Sequence, residues 1–386
     1  MHILIAPNAF KNSLTASAAA VAIEKGLQQS MLSCTTECFP IADGGDGTAA
    51  LIIQKLQGKI IAVEIQDPLG RNIEASFGLI DSGKIAVIEM ADASGLRLLK
   101  QHELNPLMAS SYGTGQVIKR ALDFGVKTIL IAMGGTATID GGTGILRALG
   151  VRFLNEAGDQ LVHMPEILTE LARVDFSAID ERLQHTSIIV LCDVDNKLLG
   201  AQGAAAVFGP QKGADSQAVE ILDAGLSRFN DITLKQLHIN IAATQYGGAA
   251  GGASAALCAW VNAKLVNGID YFMELTRFDD ALQKSDLVIT GEGSIDEQTL
   301  QGKGPFGVAS RAKAKDVPVI GLAGKIPLHD NDKLNQYFDV LMAIGNEPSD
   351  ITAALNHTEQ NLIRTSKNLA SILMMGIYKR IIEEKD

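Results

Sequence analysis

The sequence contains little of what several protein classes require. Only 4 of its 386 residues are cysteines, and they show neither the paired spacing of a metal site nor the density of a secreted disulfide scaffold. Their scarcity fits a reducing cytoplasm. The 7 histidines fall outside the glycine-rich loops described below, so we expect no zinc site, no histidine base and no Ser-His-Asp chemistry.

Charge and hydropathy exclude two further classes. Lys and Arg number 33 against 44 acidic residues, and the net charge of −11 argues against nonspecific nucleic-acid binding. The uncharged segment from Tyr246 to Ala263 is rich in glycine and alanine, so we expect a buried, tightly packed helix rather than a membrane span. The apolar run Ile3 to Ala6 is short and lacks a basic flank, which predicts a first strand rather than a signal peptide. Small-molecule partners are therefore expected, with no nucleic acid and no membrane; a homo-oligomer is compatible with the sequence.

The common nucleotide-binding motifs are also missing. No GxxxxGK[ST] occurs, and no GxGxxG follows a predicted strand. Neither a P-loop nor a dinucleotide-binding fold is supported.

The order of apolar and polar segments predicts an α/β protein of two domains. Strands and helices alternate at both ends of the chain, whereas Lys59 to Met90 is typical of an antiparallel meander. We therefore predict a Rossmann- or flavodoxin-like parallel-sheet domain made of residues 1–58 plus 286–386. Residues 59–285 are predicted to form an inserted second α/β domain containing the meander. The active site is expected in the cleft between the two domains.

Five loops at predicted strand ends share one chemistry. They are rich in glycine and carboxylates, which is what phosphoryl transfer requires: acids hold Mg²⁺ or accept a hydroxyl proton, while amides and lysines neutralise phosphates. The loops are Asp43 to Thr48, Gly134 to Gly144, Asp193 to Asn196, Gly291 to Asp296 and Gly302 to Gly307.

The second of these loops follows the apolar strand Thr128 to Met133 and opens a helix. Its glycines would let a phosphate or carboxylate approach the backbone, and Thr143 is a candidate N-cap with unpaired amides beside it. We interpret the segment as an anion loop. The alternative is a glycine-rich turn in which each Asp caps a helix or stabilises a turn.

Several ordered motifs resemble the type 1 glycerate kinases. The motifs are PNAFKNSLTA, PIADGGDGT, SSYGTG, GGTATIDGGTG, CDVDNKLLGAQGAAAVFGPQKGA, YGGAAGG and LVITGEGSIDEQTLQGKGPFGVA, and together they span much of the chain from Pro7 to Ala309. The resemblance implies ATP-dependent phosphorylation of D-glycerate to a phosphoglycerate, with the bacterial enzymes favouring O2 over O3. Two positions depart from the family pattern, because Asn8 and Asn12 stand where the family usually has Asp and Gly. Asn8 can neither act as a base nor carry a charge for a metal.

On this resemblance we assign roles to the loop residues, with ATP and Mg²⁺ as the cofactors. Asp43 or Asp193 is the candidate base, and Lys11 is the candidate catalytic cation that holds the substrate carboxylate. The predicted substrate-binding residues are Ser13, Arg71, Ser110, Ser111 and Tyr112. The predicted nucleotide-binding residues are Gly134, Gly135, Thr136, Asp140, Gly141, Gly142, Lys212, Gly291 and Lys303. The predicted metal ligands are Asp46, Glu292 and Asp296.

Two other functions are consistent with parts of the sequence. A phosphatase of the haloacid-dehalogenase kind is suggested by Asp193-Val-Asp195 after the strand Ile188 to Leu191, and it would release phosphate without ATP. A noncatalytic module for small anions would bind glycerate without consuming ATP.

Overall fold

The architecture is that of an α/β protein with three sheets. A computed structural model describes residues 1–162 and 164–383, with side chains to residue 375. The strands in this part of the chain are β1 (His2–Ile5), β2 (Thr35–Cys38), β3 (Lys59–Gln66), β4 (Asn72–Ile80), β5 (Ile85–Glu89), β6 (Thr128–Ala132), β7 (Arg152–Leu154), β8 (Arg173–Asp175), β9 (Ser187–Cys192), β10 (Lys264–Asn267), β11 (Leu287–Ser294), β12 (Val319–Lys325) and β13 (Val340–Ala343). The helices are α1 (Ala16–Gln28), α2 (Thr48–Lys55), α3 (Met90–Ser94), α4 (Tyr112–Asp123), α5 (Thr143–Ala148), α6 (Ala204–Phe208), α7 (Ser216–Leu237), α8 (Ala253–Val261), α9 (Gly268–Leu275), α10 (Phe278–Leu282), α11 (Gly304–Lys313), α12 (Asp332–Asn335), α13 (Ile351–Asn356) and α14 (Thr358–Glu383).

One unit consists of residues 1–43 and 269–383 and is built on a five-stranded sheet. Its strand order is β13-β12-β11-β1-β2, and every neighbouring pair is parallel. This is a flavodoxin-like order, which confirms the predicted fold class for this part of the chain. The central strands are aliphatic and fully buried, as expected of strands covered on both faces.

Helix packing closes one face of this sheet. The α1 helix begins where Thr15 Oγ1 accepts a hydrogen bond from Ala18 N at 3.2 Å, and its small side chains allow a close approach to α14. A Cβ atom on Gly26 would lie 2.3 Å from the carbonyl oxygen of Ile363. The core formed here includes Ile3, Ile23 and Leu362, all fully buried.

The other unit comprises residues 44–162 and 164–268 and contains a six-stranded mixed sheet. Its order is β10-β9-β6-β5-β4-β3; the pairs β10/β9, β9/β6 and β6/β5 are parallel, whereas β5/β4 and β4/β3 are antiparallel. The predicted meander over residues 59–90 is therefore β3, β4 and β5. A separate antiparallel pair is formed by β7 and β8.

The second unit contains two hydrophobic cores. One contains the inward side chains of β5 and β6 with α4, and the other contains side chains of β7, β8, α7 and α8. The uncharged segment of the sequence contains α8, in which Ala255, Ala256 and Leu257 are fully buried. Among the described residues, no helix combines the length and the apolar character needed to cross a bilayer.

Residues near the predicted domain boundaries pack on particular sheets. Helix α2 contacts β4 and β5, where Ile53 leaves no space for a side chain on Gly78. Helix α10 packs in the first unit, where the ring of Phe278 lies 5.2 Å from that of Phe39, edge to face. The compact units thus divide at residues 43/44 and 268/269 rather than at 58/59 and 285/286.

Candidate active site

The parallel sheet of the first unit has a topological switch point between β1 and β11. From β1 the chain adds β2 on one side, and the later strands β11, β12 and β13 lie on the other. Ligands of open α/β sheets bind at the carboxyl ends of strands where the order reverses. Here Asn8 follows β1, and its backbone N–H donates to the carbonyl oxygen of Gly291 in β11 at 2.8 Å.

Asp43 lies at this switch point with two identified donors. Asn8 Nδ2 donates to Asp43 Oδ2 at 2.8 Å, and the backbone N–H of Gly304, the first residue of α11, donates to the same oxygen at 3.3 Å. The Asn8 amide has a fixed orientation, because its Oδ1 accepts a hydrogen bond from Ala9 N at 2.8 Å. The positive end of the α11 dipole further favours a carboxylate at this position.

Glu292 is the second carboxyl group of this cluster. It is only 8% exposed, and its Oε1 accepts a hydrogen bond from Thr299 Oγ1 at 3.0 Å. The pKa of Glu292 is raised to about 7, mainly by burial and in part by the charges of Asp43 and Asp296, while Lys303 opposes the shift. The structure therefore groups Asp43, Glu292, Asp296 and Lys303, four of the predicted residues. Gly291 is a buried strand residue beside them.

Asp140 organises the glycine-rich loop of the second unit. Its carboxylate is 1% exposed and accepts four hydrogen bonds, from Ser111 N (2.9 Å), Ser111 Oγ (2.7 Å), Gly142 N (3.0 Å) and Gly144 N (3.1 Å). Ser111 Oγ also accepts a hydrogen bond from Ile145 N at 3.1 Å. The expectation of unpaired amides at the start of α5 is therefore wrong, since an internal carboxylate and a hydroxyl already satisfy them.

Thr143 is not the N-cap of α5, and Thr48 is not that of α2. Both threonines are the first residues of their helices, after Gly142 (φ 71°) and Gly47 (φ 89°), whose left-handed backbone favours glycine. Each hydroxyl donates to the carbonyl oxygen three residues earlier, at 2.8 Å for Thr143 and 2.7 Å for Thr48. The two predicted loops thus begin their helices in the same way.

Lys212 contacts the first part of the glycine-rich loop, at Thr136 and Thr138, from inside the protein. The side chain is 3% exposed, and its Nζ donates to Thr136 Oγ1 at 3.0 Å and to the Thr138 carbonyl oxygen at 2.8 Å. Burial lowers the pKa of Lys212 to about 7, and the charges of Asp140 and Asp193 oppose that shift. Asp193 itself is half-buried and directly follows β9.

The loop Gly44–Thr48 lies across the carboxyl ends of the mixed sheet. The carbonyl oxygen of Gly44 accepts hydrogen bonds from Met133 N at 3.1 Å and Gly134 N at 3.3 Å. A Cβ atom on Gly134 would lie 2.4 Å from Asp46 N, so only glycine fits there. The Asp46 side chain is exposed and bonded to Arg97 Nη1 at 2.9 Å, and Arg97 also donates to Asp92.

Several predicted substrate-binding residues have other partners. Ser13 Oγ donates to the carbonyl oxygen of Leu355 at 2.6 Å, and the guanidinium of Arg71 donates to Asp67 Oδ2 at 2.5 Å and to Glu103 Oε1 at 2.7 Å. Ser111 is buried, and its Oγ donates to Asp140. Lys11 is exposed in the turn after β1.

Ser110 and Tyr112 line a pocket of about 390 Å³ in the second unit. The Arg147 guanidinium lies 5.7 Å from the centre of the Tyr112 ring, and Ser110 Oγ accepts a hydrogen bond from Tyr112 N at 3.2 Å. The other lining residues are Gln66, Asp67, Pro68, Leu69, Gly70, Met108, Val162 and Met164.

A preformed metal site is not present in the part of the chain that the structure describes, where no three His, Cys, Asp or Glu side chains are arranged to hold an ion. Mg²⁺ is commonly bound by one or two carboxylates together with substrate phosphates. Glu292 and Asp296, which influence each other's charge at the switch point, fit that requirement.

Sequence reasoning missed Glu89, Asp92 and Arg97. Glu89 ends β5, and its Oε2 accepts a hydrogen bond from Ala49 N at 2.9 Å. For Glu89 the available signal was a carboxylate at the end of a buried aliphatic strand, much like that of Asp193, which directly follows β9.

The parallel sheet has carboxylates and a lysine at its switch point, and the mixed sheet carries a glycine-rich loop. Each of these features is typical of phosphotransferases. Comparison with known proteins agrees. The model of the glycerate kinase family matches residues 3–374.

Individual relatives match over nearly the whole chain. The glycerate kinase of Bacillus subtilis (strain 168) is 42% identical over 376 residues, covering 97% of this chain and 98% of the relative. The glycerate 2-kinase of Escherichia coli (strain K12) is 39% identical over 382 residues, covering 98% and 99%. A solved chain from Salmonella typhimurium LT2 described as a glycerate kinase 2 superposes with a TM-score of 0.81 at 40% identity, covering 98% and 99%. The chain therefore belongs to the glycerate kinase family and is a kinase, which confirms the resemblance inferred from its motifs.

Proposed function

We propose that the chain transfers the γ-phosphoryl group of ATP to O2 of D-glycerate, giving 2-phosphoglycerate. The observation that carries the proposal is the cluster of Asp43, Glu292 and Lys303 at the switch point, held by Asn8 and by the start of α11. The family supports glycerate as the acceptor. The name of the Escherichia coli relative, glycerate 2-kinase, supports O2.

Asp43 is our candidate for the group that accepts the proton of the substrate hydroxyl. A base must lie within hydrogen-bond reach of that proton, and Asp43 is oriented by the Asn8 amide at 2.8 Å. Lys303 supplies a positive charge beside it and is proposed to meet a phosphate or the substrate carboxylate. Asp193 remains the alternative base, because it also follows a parallel strand and lies near Lys212.

Glu292 and Asp296 are proposed to hold Mg²⁺. When bound with the nucleotide, this ion neutralises phosphate charge. An ionised Glu292 is better suited to that role than a neutral one, and the positive charge of Lys303 favours its ionisation.

In the second unit the loop Gly134–Thr138 is the proposed contact for the nucleotide phosphates. Lys212 holds it from behind, and Asp140 fixes its continuation into α5. The four cysteines are free thiols, which is consistent with the proposed cytoplasmic location.

A coupled ADP-release assay with MgATP and D-glycerate tests the reaction, with ³¹P NMR to resolve 2- from 3-phosphoglycerate. We expect glycerate-dependent ADP and 2-phosphoglycerate. Turnover with other hydroxy acids but not with glycerate would show that the substrate is a different hydroxy acid. Phosphate release from phosphoesters without ATP would favour a phosphatase instead.

Two variants distinguish the candidate bases. Asp43→Asn is expected to lower kcat by about 10²-fold or more while KM for glycerate changes little. Asp193→Asn is expected to have a smaller effect, and Asp159→Asn, at an exposed turn, serves as the control. A larger loss of kcat for Asp193→Asn than for Asp43→Asn would make Asp193 the base instead of Asp43.

A further inference from the structure

Glu89 is a buried carboxyl group that the proposed reaction does not use. It is the last residue of β5 and is 5% exposed. Its Oε2 accepts a hydrogen bond from Ala49 N at 2.9 Å, while Oε1 is enclosed without a partner. A buried polar group with unmet hydrogen-bonding capacity costs folding free energy, so a gain elsewhere is expected to offset it.

The partner of Glu89 lies directly after the loop Gly44–Thr48. Ala49 is the second residue of α2, and the N–H groups of a first helical turn have no partner within the helix. The helix has no side-chain cap of its own. Glu89 therefore supplies from β5 the hydrogen bond that an N-cap would otherwise provide.

The other end of the loop is held by separate contacts. The Gly44 carbonyl oxygen accepts from Met133 N and Gly134 N, and Thr48 Oγ1 accepts a hydrogen bond from Gly44 N at 3.1 Å. Among these hydrogen bonds, only the one from Ala49 N to Glu89 joins the backbone on the α2 side of Asp46 to the sheet. Asp46 thus lies between two points of attachment.

The environment of Glu89 favours its neutral form. Burial raises the pKa of this carboxyl well above its usual range, and Asp46 and Asp92 add to that effect while Arg97 opposes it. A neutral carboxylic acid and a glutamine amide have nearly the same shape. Both offer an oxygen to Ala49 N.

We propose that Glu89 is a positioning residue: its carboxyl oxygen anchors the start of α2 and thereby sets the position of the Gly44–Thr48 loop that carries Asp46. It does so without touching substrate or nucleotide. The kinetic part of this inference rests on the proposed function, whereas the structural part does not.

Three variants of the full-length protein test the proposal. Glu89→Gln keeps the acceptor oxygen, and Glu89→Met keeps the length but removes the acceptor. Glu64→Met, at an exposed position of β3 in the same sheet, controls for the chemical change. Each variant is compared by hydrogen–deuterium exchange of the peptide spanning residues 44–52, by Tm, and by kcat and KM for MgATP and glycerate.

We expect Glu89→Met to speed exchange in residues 44–52 by about tenfold or more and to lower kcat by a similar factor, because the loop loses one attachment. Glu89→Gln is expected to restore both to within about twofold of the wild type. Unchanged exchange in Glu89→Met would overturn the proposal, as would a Glu89→Gln variant impaired as severely as Glu89→Met, which would require the charge itself.

The exchange measurement separates this proposal from the proposed function. If the variants show the expected exchange pattern but the wild type does not turn over glycerate, Glu89 is still the loop anchor, and glycerate is not the substrate. If Glu89→Met fails to fold, Glu89→Gln still decides whether the neutral acceptor is sufficient.

Discussion

Lys212 Nζ lies 2.8 Å from the carbonyl oxygen of Thr138, so a buried cation holds the inner side of the glycine-rich loop. A lysine with so little exposure has lost most of its hydration, and that loss is the main reason for its lowered pKa. Its two neighbouring carboxylates, Asp140 and Asp193, recover part of the lost stabilisation.

The buried lysine makes the stability of the protein depend on pH. In the unfolded chain Lys212 takes its usual pKa near 10.5, whereas folding lowers it to about 7. Between these values the unfolded state binds more protons, so the free energy of unfolding rises with pH, by at most about 1.4 kcal/mol per unit. We expect the free energy of unfolding of the wild type, minus that of Lys212→Met, to increase from pH 7 to pH 9 and to level off below pH 7.

Urea denaturation of both proteins across that pH range measures this difference, with Lys235→Met on the exposed face of α7 as the control. A difference that does not change between pH 7 and pH 9 would show that the buried amine stays charged throughout.

Asp140 is expected to be essential for folding rather than for binding. Asp140→Ala leaves four buried donors without an acceptor, so we expect a loss of about 3 kcal/mol or more in the free energy of unfolding. Asp140→Asn keeps one acceptor oxygen and should lose less. Chemical denaturation measures both, and an Asp140→Ala protein as stable as the exposed-site variant Asp159→Ala would contradict the network.

Gly134 is expected to tolerate no side chain. A Cβ atom there would lie 2.4 Å from Asp46 N, so Gly134→Ala must displace the Gly44–Thr48 loop. The cost is about 1–3 kcal/mol of stability, together with a lower kcat. Gly345→Ala is the matched control, because a Cβ atom at Gly345 meets nothing within 4 Å. Equal Tm and kcat for the two variants would show that the loop adapts freely.

Asn8 is expected to act through its donor group. Asn8→Ala removes the N–H that lies 2.8 Å from Asp43, and with it a contact that orients this carboxylate. We expect kcat to fall by about tenfold or more. The steady-state assay compares it with Asn72→Ala, at an exposed position of β4, and full activity of Asn8→Ala would show that Asp43 does not need this donor.

The regular elements with strong apolar patterns were predictable from the sequence. The strand expected over 128–133 is β6, and the meander expected over 59–90 is β3 to β5. Strand β2 was not predictable from hydropathy. The apolar residues 39–42 are mostly buried but lie outside a strand, while β2 is the polar segment Thr35–Cys38 at the sheet edge. An edge strand is only half covered, so hydropathy does not mark it.

The candidate site was predictable by residue type but not by partner. Carboxylates after apolar segments indicated Asp43 and Glu292, because parallel strands end on one edge of a sheet. The hydrogen bond between Asn8 and Asp43, and that between Glu89 and Ala49, depend on which strands are neighbours. A single sequence does not show which strands are neighbours. For the same reason Arg71 was predicted to bind the substrate, whereas in the structure its guanidinium donates to Asp67 and Glu103.

The strand order of the first unit has a consequence for synthesis on the ribosome. Strand β1 is made first, yet its neighbour β11 starts at Leu287. At about 5–20 residues per second, β1 waits roughly 15 to 60 s for that partner. The mixed sheet, whose strands all lie between Lys59 and Asn267, is complete before then. We therefore expect the nascent N-terminal segment, with its aliphatic run, to be the part of the chain most dependent on protection during translation.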